Sequence, residues 1–233
     1  MSLTRRSLIP LLVAATSLPA FAADPRITPE ERAKLIRYLQ DSQKEFLDLL
    51  EGVSDAEWSW KATPEKWSVG ETAQHIALAE GFLFEMSTKA MSNEADPAWE
   101  AKTRGKTELL ERYLVDRSTK VKAPEPLNPV GITMTRAEVI AKFKENRART
   151  IEFAETTQLP LREHITKGPF PAFDPLNAFH FVLYIPLHNL RHNQQIAEVK
   201  ATPGYPKQGR SSRGLVEAAG DDLGDVEQLG RRG

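Results

Sequence analysis

The stretch Ser68-Val69-Gly70-Glu71-Thr72-Ala73-Gln74-His75 combines the start of a long helix with a candidate metal ligand. Ser68 followed three residues later by Glu71 is a capping box, in which each residue satisfies a backbone N–H group at the helix start. Apolar residues then recur at helical spacing as far as Met86, which predicts a helix with one buried side. His75 lies about two turns inside this helix.

Three more long helices have starting patterns of the same kind. Two are capping boxes, and the fourth helix is predicted from an acidic cap followed by proline, which suits the first turn. Pro186 lies inside the fourth helix and is expected to bend it. Four helices of about 20 residues, joined by segments that are not strands, predict an all-α four-helix bundle. The predicted helices begin at Thr28, Ser68, Thr135 and Asp174, and end near Gly52, Ser92, Leu159 and Lys200.

A long, less regular connection covers residues 93–134. Residues 107–117 have the pattern of a short amphipathic helix. Residues 123–129 contain three prolines, which remove backbone donors and fix φ, so this segment is predicted to be non-helical. We expect it to form a Pro-rich strap that lies over the bundle.

Residues 1–22 have the pattern of an export signal. Arg5 and Arg6 form a positively charged start, residues 8–18 are almost wholly apolar, and Ala20-Phe21-Ala22 suits a cleavage site. The apolar run is too short to span a bilayer, so no stable membrane anchor is expected. The paired arginines fit a twin-arginine signal and a general secretory signal equally well. We therefore predict a periplasmic protein with a signal peptide at 1–22, a bundle at 23–206 and a flexible tail at 207–233.

The composition excludes several classes of function. The chain has no cysteine, so cysteine nucleophiles, thiolate ligands and disulfides are all absent. The formal net charge is −1, and basic and acidic residues are interspersed, which argues against a nucleic-acid partner. A tight transition-metal site would have to use histidine with carboxylates or water.

The histidines supply the candidate site. His188 and His192 are four residues apart, so their rings project from one helix face about one turn apart. His180 precedes His188 by two turns, roughly 12 Å along the axis, too far to share an ion. His164 falls in a loop that we expect at the surface. His75 is therefore the predicted third ligand, and three imidazoles would leave one position for water or substrate. Of the ions that imidazole suits, we expect zinc or nickel.

Several other polar and aromatic residues could each have either a functional or a structural role. Glu71 could act as a base or orient His75, although its capping role alone accounts for it. Tyr184 could line the site or simply pack. Arg191 and Gln195 are expected to face solvent or to support the ligands. The tryptophans Trp58, Trp60 and Trp67 are expected to seal one end of the bundle rather than to stack on a ligand.

These motifs together resemble the DinB/YfiT-like superfamily. The resemblance rests on Trp67 to Glu71 followed by His75, on the Pro-rich segment 123–129, and on His188-Asn-Leu-Arg-His192-Asn-Gln-Gln-Ile196. It implies a four-helix bundle whose long connections alter the simple up-and-down order, with three histidines that bind a divalent metal. Members of the family transfer low-molecular-weight thiols or isomerise or hydrolyse small substrates. The export signal argues against thiol transfer, because cytosolic thiol cofactors would be scarce outside.

The sequence therefore favours an exported metal-dependent enzyme of hydrolase-like type, acting on a small molecule. A non-catalytic periplasmic protein that binds a metal or a small molecule at the same residues is the alternative. A purely structural bundle that forms a homodimer through an apolar helix face is a third possibility.

Overall fold

A computed structural model describes residues 23–119, 121–131 and 134–207. The predicted export signal and nearly all of the predicted tail therefore lie outside the described residues. None of the described helices combines the length and the apolar character that a membrane crossing requires. The helices are α1 (Pro29–Leu50), α2 (Asp55–Ser59), α3 (Val69–Ala90), α4 (Trp99–Thr103), α5 (Lys106–Tyr113), α6 (Arg136–Thr156) and α7 (Ala178–Ala201), and two short strands are β1 (Ile165–Thr166) and β2 (Leu176–Asn177).

The four long helices form the predicted all-α bundle. Helix α7 packs mainly against α1 and α3, and α6 packs against the same two helices on the other side. The consecutive helices α1 and α3 are therefore diagonal to each other, as are α6 and α7. A simple up-and-down bundle would place consecutive helices side by side. The altered order that the family resemblance implied is thus present, and it brings α3 and α7 together.

The three predicted capping boxes are all present, at Thr28, Ser68 and Thr135. The predicted start of the fourth helix at Asp174 is wrong, because α7 begins at Ala178 with Asn177 as its cap. The reason is a contact outside the predicted helix: Leu176 and Asn177 pair with the preceding strand β1 in an antiparallel register, which keeps this segment extended. The helix can begin only after that pairing ends.

The connections differ from the predictions in detail. The short helix predicted over residues 107–117 is α5, which ends four residues earlier, at Tyr113. Helices α2 and α4 and the two strands were not predicted. The Pro-rich strap is extended except for a 3-10 turn at Glu125–Leu127. The prediction of a wholly non-helical strap is wrong at that turn, because proline is compatible with the first position of a helical turn.

A charged network crosses the centre of the bundle. The Arg147 side chain on α6 is fully buried, and its Nε and Nη2 donate to the two carboxylate oxygens of Glu80 on α3 at 2.9 and 2.5 Å. Arg147 also donates to Ser42 Oγ on α1 at 2.8 Å and to Asn189 Oδ1 on α7 at 3.0 Å. One side chain therefore joins all four long helices.

The network continues along α7 toward the surface. Asn189 donates to Asn193 Oδ1 at 2.9 Å, and Asn193 donates to the Ser42 carbonyl at 3.0 Å and to Glu45 Oε2 at 2.9 Å. A buried charge is tolerated only when it is paired and hydrogen-bonded. Here the guanidinium is matched by a buried carboxylate and by neutral acceptors, so the network is satisfied within itself.

Candidate metal centre

The structure brings together the three histidines that the sequence singled out. His75 comes from α3, and His188 and His192 come from neighbouring turns of α7. The Nε2 atoms of His75 and His188 are 3.1 Å apart. The centroids of the three rings lie 4.4 to 4.9 Å from one another. One nitrogen from each ring lies within 4.8 Å of the other two, so a single ion could reach all three.

The His75 ring is oriented by the Pro-rich strap. Its Nδ1 is 2.7 Å from the carbonyl oxygen of Leu127. A backbone carbonyl can only accept, so Nδ1 carries the proton and Nε2 keeps its lone pair. The strap thus fixes the tautomer in which Nε2 is available to a metal, a familiar arrangement for metal-binding histidines.

The His192 ring is oriented by a second contact of the same kind. Its Nδ1 lies 2.9 Å from Gln195 Oε1, and Arg117 Nη1 donates to that same oxygen at 3.1 Å. A guanidinium has no acceptor, which identifies the oxygen of the amide as the atom facing it. Nδ1 of His192 therefore donates to this oxygen, and its Nε2 is free for a ligand. Arg117 is itself held by a bidentate ion pair with Glu198, at 2.7 and 2.8 Å.

Electrostatics keeps the three rings neutral. Burial is the main cause that lowers the pKa of His75, His188 and His192 below the ordinary value, for the latter two well below it. The neighbouring imidazoles and the charge of Arg191 lower the pKa of His188 and His192 further. Neutral imidazole is the form that binds a metal. Within the described part of the chain, no carboxylate belongs to the cluster, so a bound divalent ion would keep its full charge.

The donor set fits a divalent transition metal. Zinc takes imidazole nitrogens at about 2.0–2.1 Å, and catalytic zinc sites commonly use three protein ligands. The 3.1 Å separation of the His75 and His188 nitrogens is close to the distance of about 3.3 Å between two ligands of a tetrahedral ion with such bonds. Small ring rotations would complete the site. Two of the three ligands already have the outer hydrogen bonds that such sites use.

Aromatic rings form the walls of the site. Trp67 lies 4.9 Å from the His75 ring and 6.2 Å, nearly parallel, from the His192 ring. The Tyr184 ring lies 6.0 Å from His188, and burial raises its pKa. Trp67 was predicted only to seal the bundle, whereas it covers two of the three histidines. Trp60 packs edge-on against Tyr205 at 5.5 Å, and Trp58 packs on Gly70, so these two tryptophans do close the bundle.

The remaining candidates have other roles. Glu71 completes the cap of α3 through Ser68, and its other oxygen is 3.0 Å from Lys61 Nζ, so both oxygens have partners. Arg191 donates to the carbonyls of Leu114, Asp116 and Thr119 and so anchors the segment after α5. A catalytic role for Glu71 stays a prediction.

His164 and His180 were not predicted to be metal ligands, and the structure places both outside the cluster of three histidines. His164, expected at the surface, is partly buried: 14% of its side chain is exposed and its Nδ1 donates to the Asn93 carbonyl at 2.8 Å. His180 is buried, and its Nε2 lies 3.2 Å from the Thr107 hydroxyl.

The sequence did not predict that Leu127 and Gln195 orient the rings of His75 and His192. The Leu127 carbonyl is a backbone atom in a Pro-rich segment, and no sequence pattern marks it as a partner of His75. Gln195 was expected either to face solvent or to support a ligand, and the structure shows that it supports His192. Its spacing of three residues from His192 on one helix could have favoured that reading.

The fold and the candidate site together define a class of protein: a four-helix bundle in which three histidines that could hold a metal ion converge where α3 meets α7. A sequence model described as DinB superfamily matches residues 38–196, well over half of the chain. This protein therefore belongs to the DinB superfamily. The search of curated proteins and the search of solved structures returned no match.

Proposed function

We propose that this protein is a divalent-metal-dependent enzyme of hydrolase-like type, acting on a small molecule at His75, His188 and His192. The observation that carries the proposal is the convergence of three neutral imidazoles, of which His75 and His192 have their outer nitrogens held by Leu127 and Gln195. A bound ion of this kind polarises a carbonyl group or lowers the pKa of a bound water. The chain contributes the ligands, their orientation and the aromatic walls that limit access of water.

The metal part of the proposal is tested by elemental analysis. Wild-type protein is compared with the variant His75→Ala, His188→Ala, His192→Ala, and His164→Ala serves as a control histidine outside the cluster. We expect about one zinc or nickel ion per chain in the wild type and in the control, and almost none in the triple variant. Equal metal content in all three proteins would refute the site.

Thermal melting separates bound metal from adventitious metal. A ligand that binds only the folded state at 100 times its dissociation constant stabilises the protein by about 2.7 kcal/mol. We therefore expect zinc to raise the Tm of the chelator-treated wild type, and to leave the Tm of the triple variant unchanged. The same comparison tests the third possibility, since a purely structural bundle would not respond to the chelator.

The non-catalytic alternative is favoured by one observation. Both oxygens of Glu71, the acid predicted to assist, are engaged by the Ser68 backbone and by Lys61. A screen of esters, amides and lactones with the metal-loaded protein distinguishes the two functions. Turnover that disappears in the triple variant supports the enzyme, and metal binding without turnover on any of these substrates supports a binding protein.

We further propose that the protein is exported and works in the periplasm, on the basis of the pattern in residues 1–22. Fractionation of cells expressing the full chain, followed by N-terminal sequencing, tests this directly. A mature protein that starts at Ala23 in the periplasmic fraction is expected. The substitution Arg5→Lys, Arg6→Lys should block export by the twin-arginine route and spare general secretion, which distinguishes the two.

A further inference from the structure

Tyr184 stands on the same face of α7 as two of the three histidines. It precedes His188 by four residues, and His188 precedes His192 by four, so the three side chains form one row along the helix. The Tyr184 ring lies 6.0 Å from the His188 ring on one side and 6.3 Å, edge-on, from the Phe173 ring on the other. Only 6% of the residue is exposed. The phenol is therefore held firmly at the end of the cluster.

The hydroxyl of Tyr184 differs from the other polar groups around the site. Among the hydrogen bonds between described residues, His75 and His192 each use their outer nitrogen, whereas the Tyr184 hydroxyl takes part in none. The Tyr184 hydroxyl is not among the fully buried atoms without a partner in the described chain, so it retains access to a molecule that enters from solvent. A phenol without a protein partner, beside three candidate metal ligands, is suited to a partner that arrives with a molecule bound there.

The charge around this position favours an oxygen with negative charge. The Arg191 guanidinium, held by the carbonyls of Leu114, Asp116 and Thr119, acts electrostatically on Tyr184, His188 and His192. No carboxylate of the described chain belongs to the histidine cluster. A divalent ion bound at the histidines would meet no neutralising acid within the cluster, whereas Arg191 is close enough to Asp116 and Glu198 to be affected by their charge. A phenol hydroxyl carries its proton at neutral pH and can donate it in a hydrogen bond.

We propose that the Tyr184 hydroxyl donates a hydrogen bond to an oxygen of the small molecule bound at the three histidines, and that the site thereby selects carboxylates and carbonyl compounds. This rests on the proposed function, because it needs a metal at the histidines to hold the other end of the ligand. Tyr184 would contact the ligand directly. It would discriminate in favour of molecules with an acceptor oxygen next to the metal-binding atom.

The experiment uses cobalt(II) as a spectroscopic substitute in the wild type, in Tyr184→Phe and in Tyr205→Phe. Visible absorption reports the entry of a ligand to the cobalt. Two probes are titrated: acetate, which offers an acceptor oxygen, and imidazole, which does not. Tyr205 is a matched control, because its ring is also buried and its hydroxyl also lacks a partner among the described residues, while its ring contacts Trp60.

We expect Tyr184→Phe to weaken acetate binding about tenfold, in line with the loss of one hydrogen bond to a charged acceptor. Imidazole binding should change by less than about twofold, and Tyr205→Phe should match the wild type with both probes. Equal acetate affinity in Tyr184→Phe and wild type would overturn the proposal, as would equal weakening of both probes, which would indicate a packing role. If wild-type protein takes up no cobalt, the proposed metal site itself is wrong, and this inference falls with it.

Discussion

Adjacent residues of α7 serve two polar clusters that differ in kind. His188 and His192 face α3 and His75, while Asn189 and Asn193 belong to the network of Arg147. Successive residues on a helix point about 100° apart, so a shift of one position moves a side chain from one cluster to the other. Both clusters are largely buried, and both join helices that are distant in sequence.

The two clusters differ in whether their polar groups are satisfied by the protein. In the Arg147 network, a buried cation meets a buried carboxylate, and each neighbouring amide bonds to another group. In the histidine cluster, the outer nitrogens of His75 and His192 are bonded, and the Nε2 atoms of His75 and His188 lie 3.1 Å apart, within hydrogen-bond distance. No carboxylate of the described residues belongs to this cluster. The first arrangement needs nothing more. The histidine cluster is suited to a cation. We therefore assign a structural role to the Arg147 network and propose a metal-binding role for the histidine cluster.

The largest effect is expected when the Arg147 network is broken. Arg147→Met leaves Glu80 buried without its partner, and loss of one member of such a pair typically costs 3–5 kcal/mol, so we expect a loss of about that size. Equilibrium unfolding in urea measures it. The exposed Lys144→Met on the same helix is the control and should change stability by less than about 0.5 kcal/mol.

A second variant shows whether that loss comes from the unpaired charge. Arg147→Met combined with Glu80→Leu replaces the pair with apolar groups and should recover much of the stability. A loss below about 1 kcal/mol in the single variant would mean that the network is not the central structural element that its burial indicates.

Next in size is the effect of removing the support of His192. Gln195→Leu removes the acceptor for Nδ1, and partners of this kind typically affect metal affinity by about 10- to 100-fold. Competition with a chromophoric chelator measures the affinity. Gln194→Leu, its exposed neighbour on α7, should leave the affinity unchanged. If both variants bind metal as the wild type does, Gln195 does not orient the ligand.

A pH-dependent effect is expected from His180, a buried histidine outside both clusters. Burial, with the charges of Arg162 and Lys106, lowers its pKa to about 3. The unfolded chain, with an ordinary value of about 6.5, binds a proton between these limits that the folded protein excludes. Stability therefore falls by up to about 1.4 kcal/mol per pH unit as the pH drops below 6.5.

Urea unfolding of chelator-treated protein at pH 7, 6 and 5 tests this dependence in the wild type and in His180→Gln. The lowered pKa values of His75, His188 and His192 act in the same direction in both proteins, so the difference between the two slopes isolates His180. The variant should lose stability less steeply as the pH falls. Parallel slopes would show that His180 binds its proton equally well in the folded and unfolded states, so that folding does not lower its pKa.

The smallest effect is expected for Glu71. Glu71→Gln weakens the capping box of α3 and the ion pair with Lys61, at a cost of about 0.5–1 kcal/mol, with metal affinity unchanged. Glu138→Gln disturbs the equivalent box of α6 and is the matched control. Similar stability losses with unchanged metal content would assign Glu71 to the cap alone. Loss of turnover in Glu71→Gln only, with metal still bound, would support the catalytic role predicted for it.

The features that the sequence predicted well are local. The capping boxes at Thr28, Ser68 and Thr135 depend on residues three apart, so each can be recognised without knowledge of the rest of the fold. The start of α7 was mispredicted because Asp174-Pro175 also fits a helix start, and only the pairing of β2 with β1 excludes it. Arg147 has no local mark that separates it from the surface arginines, since its partner Glu80 lies 67 positions away.

The sequence by itself determined that the chain has four long helices and no thiolate chemistry. It also determined that His188 and His192 lie on one face, because helix geometry relates residues four apart directly. The tertiary structure decided that the nitrogens of His75 and His188 come within 3.1 Å, that Leu127 and Gln195 select the tautomers of His75 and His192, and that Asn189 and Asn193 join a different cluster. Those facts depend on distances between helices and on the path of the strap. Such distances follow from packing among residues far apart in the chain, which local sequence patterns do not encode.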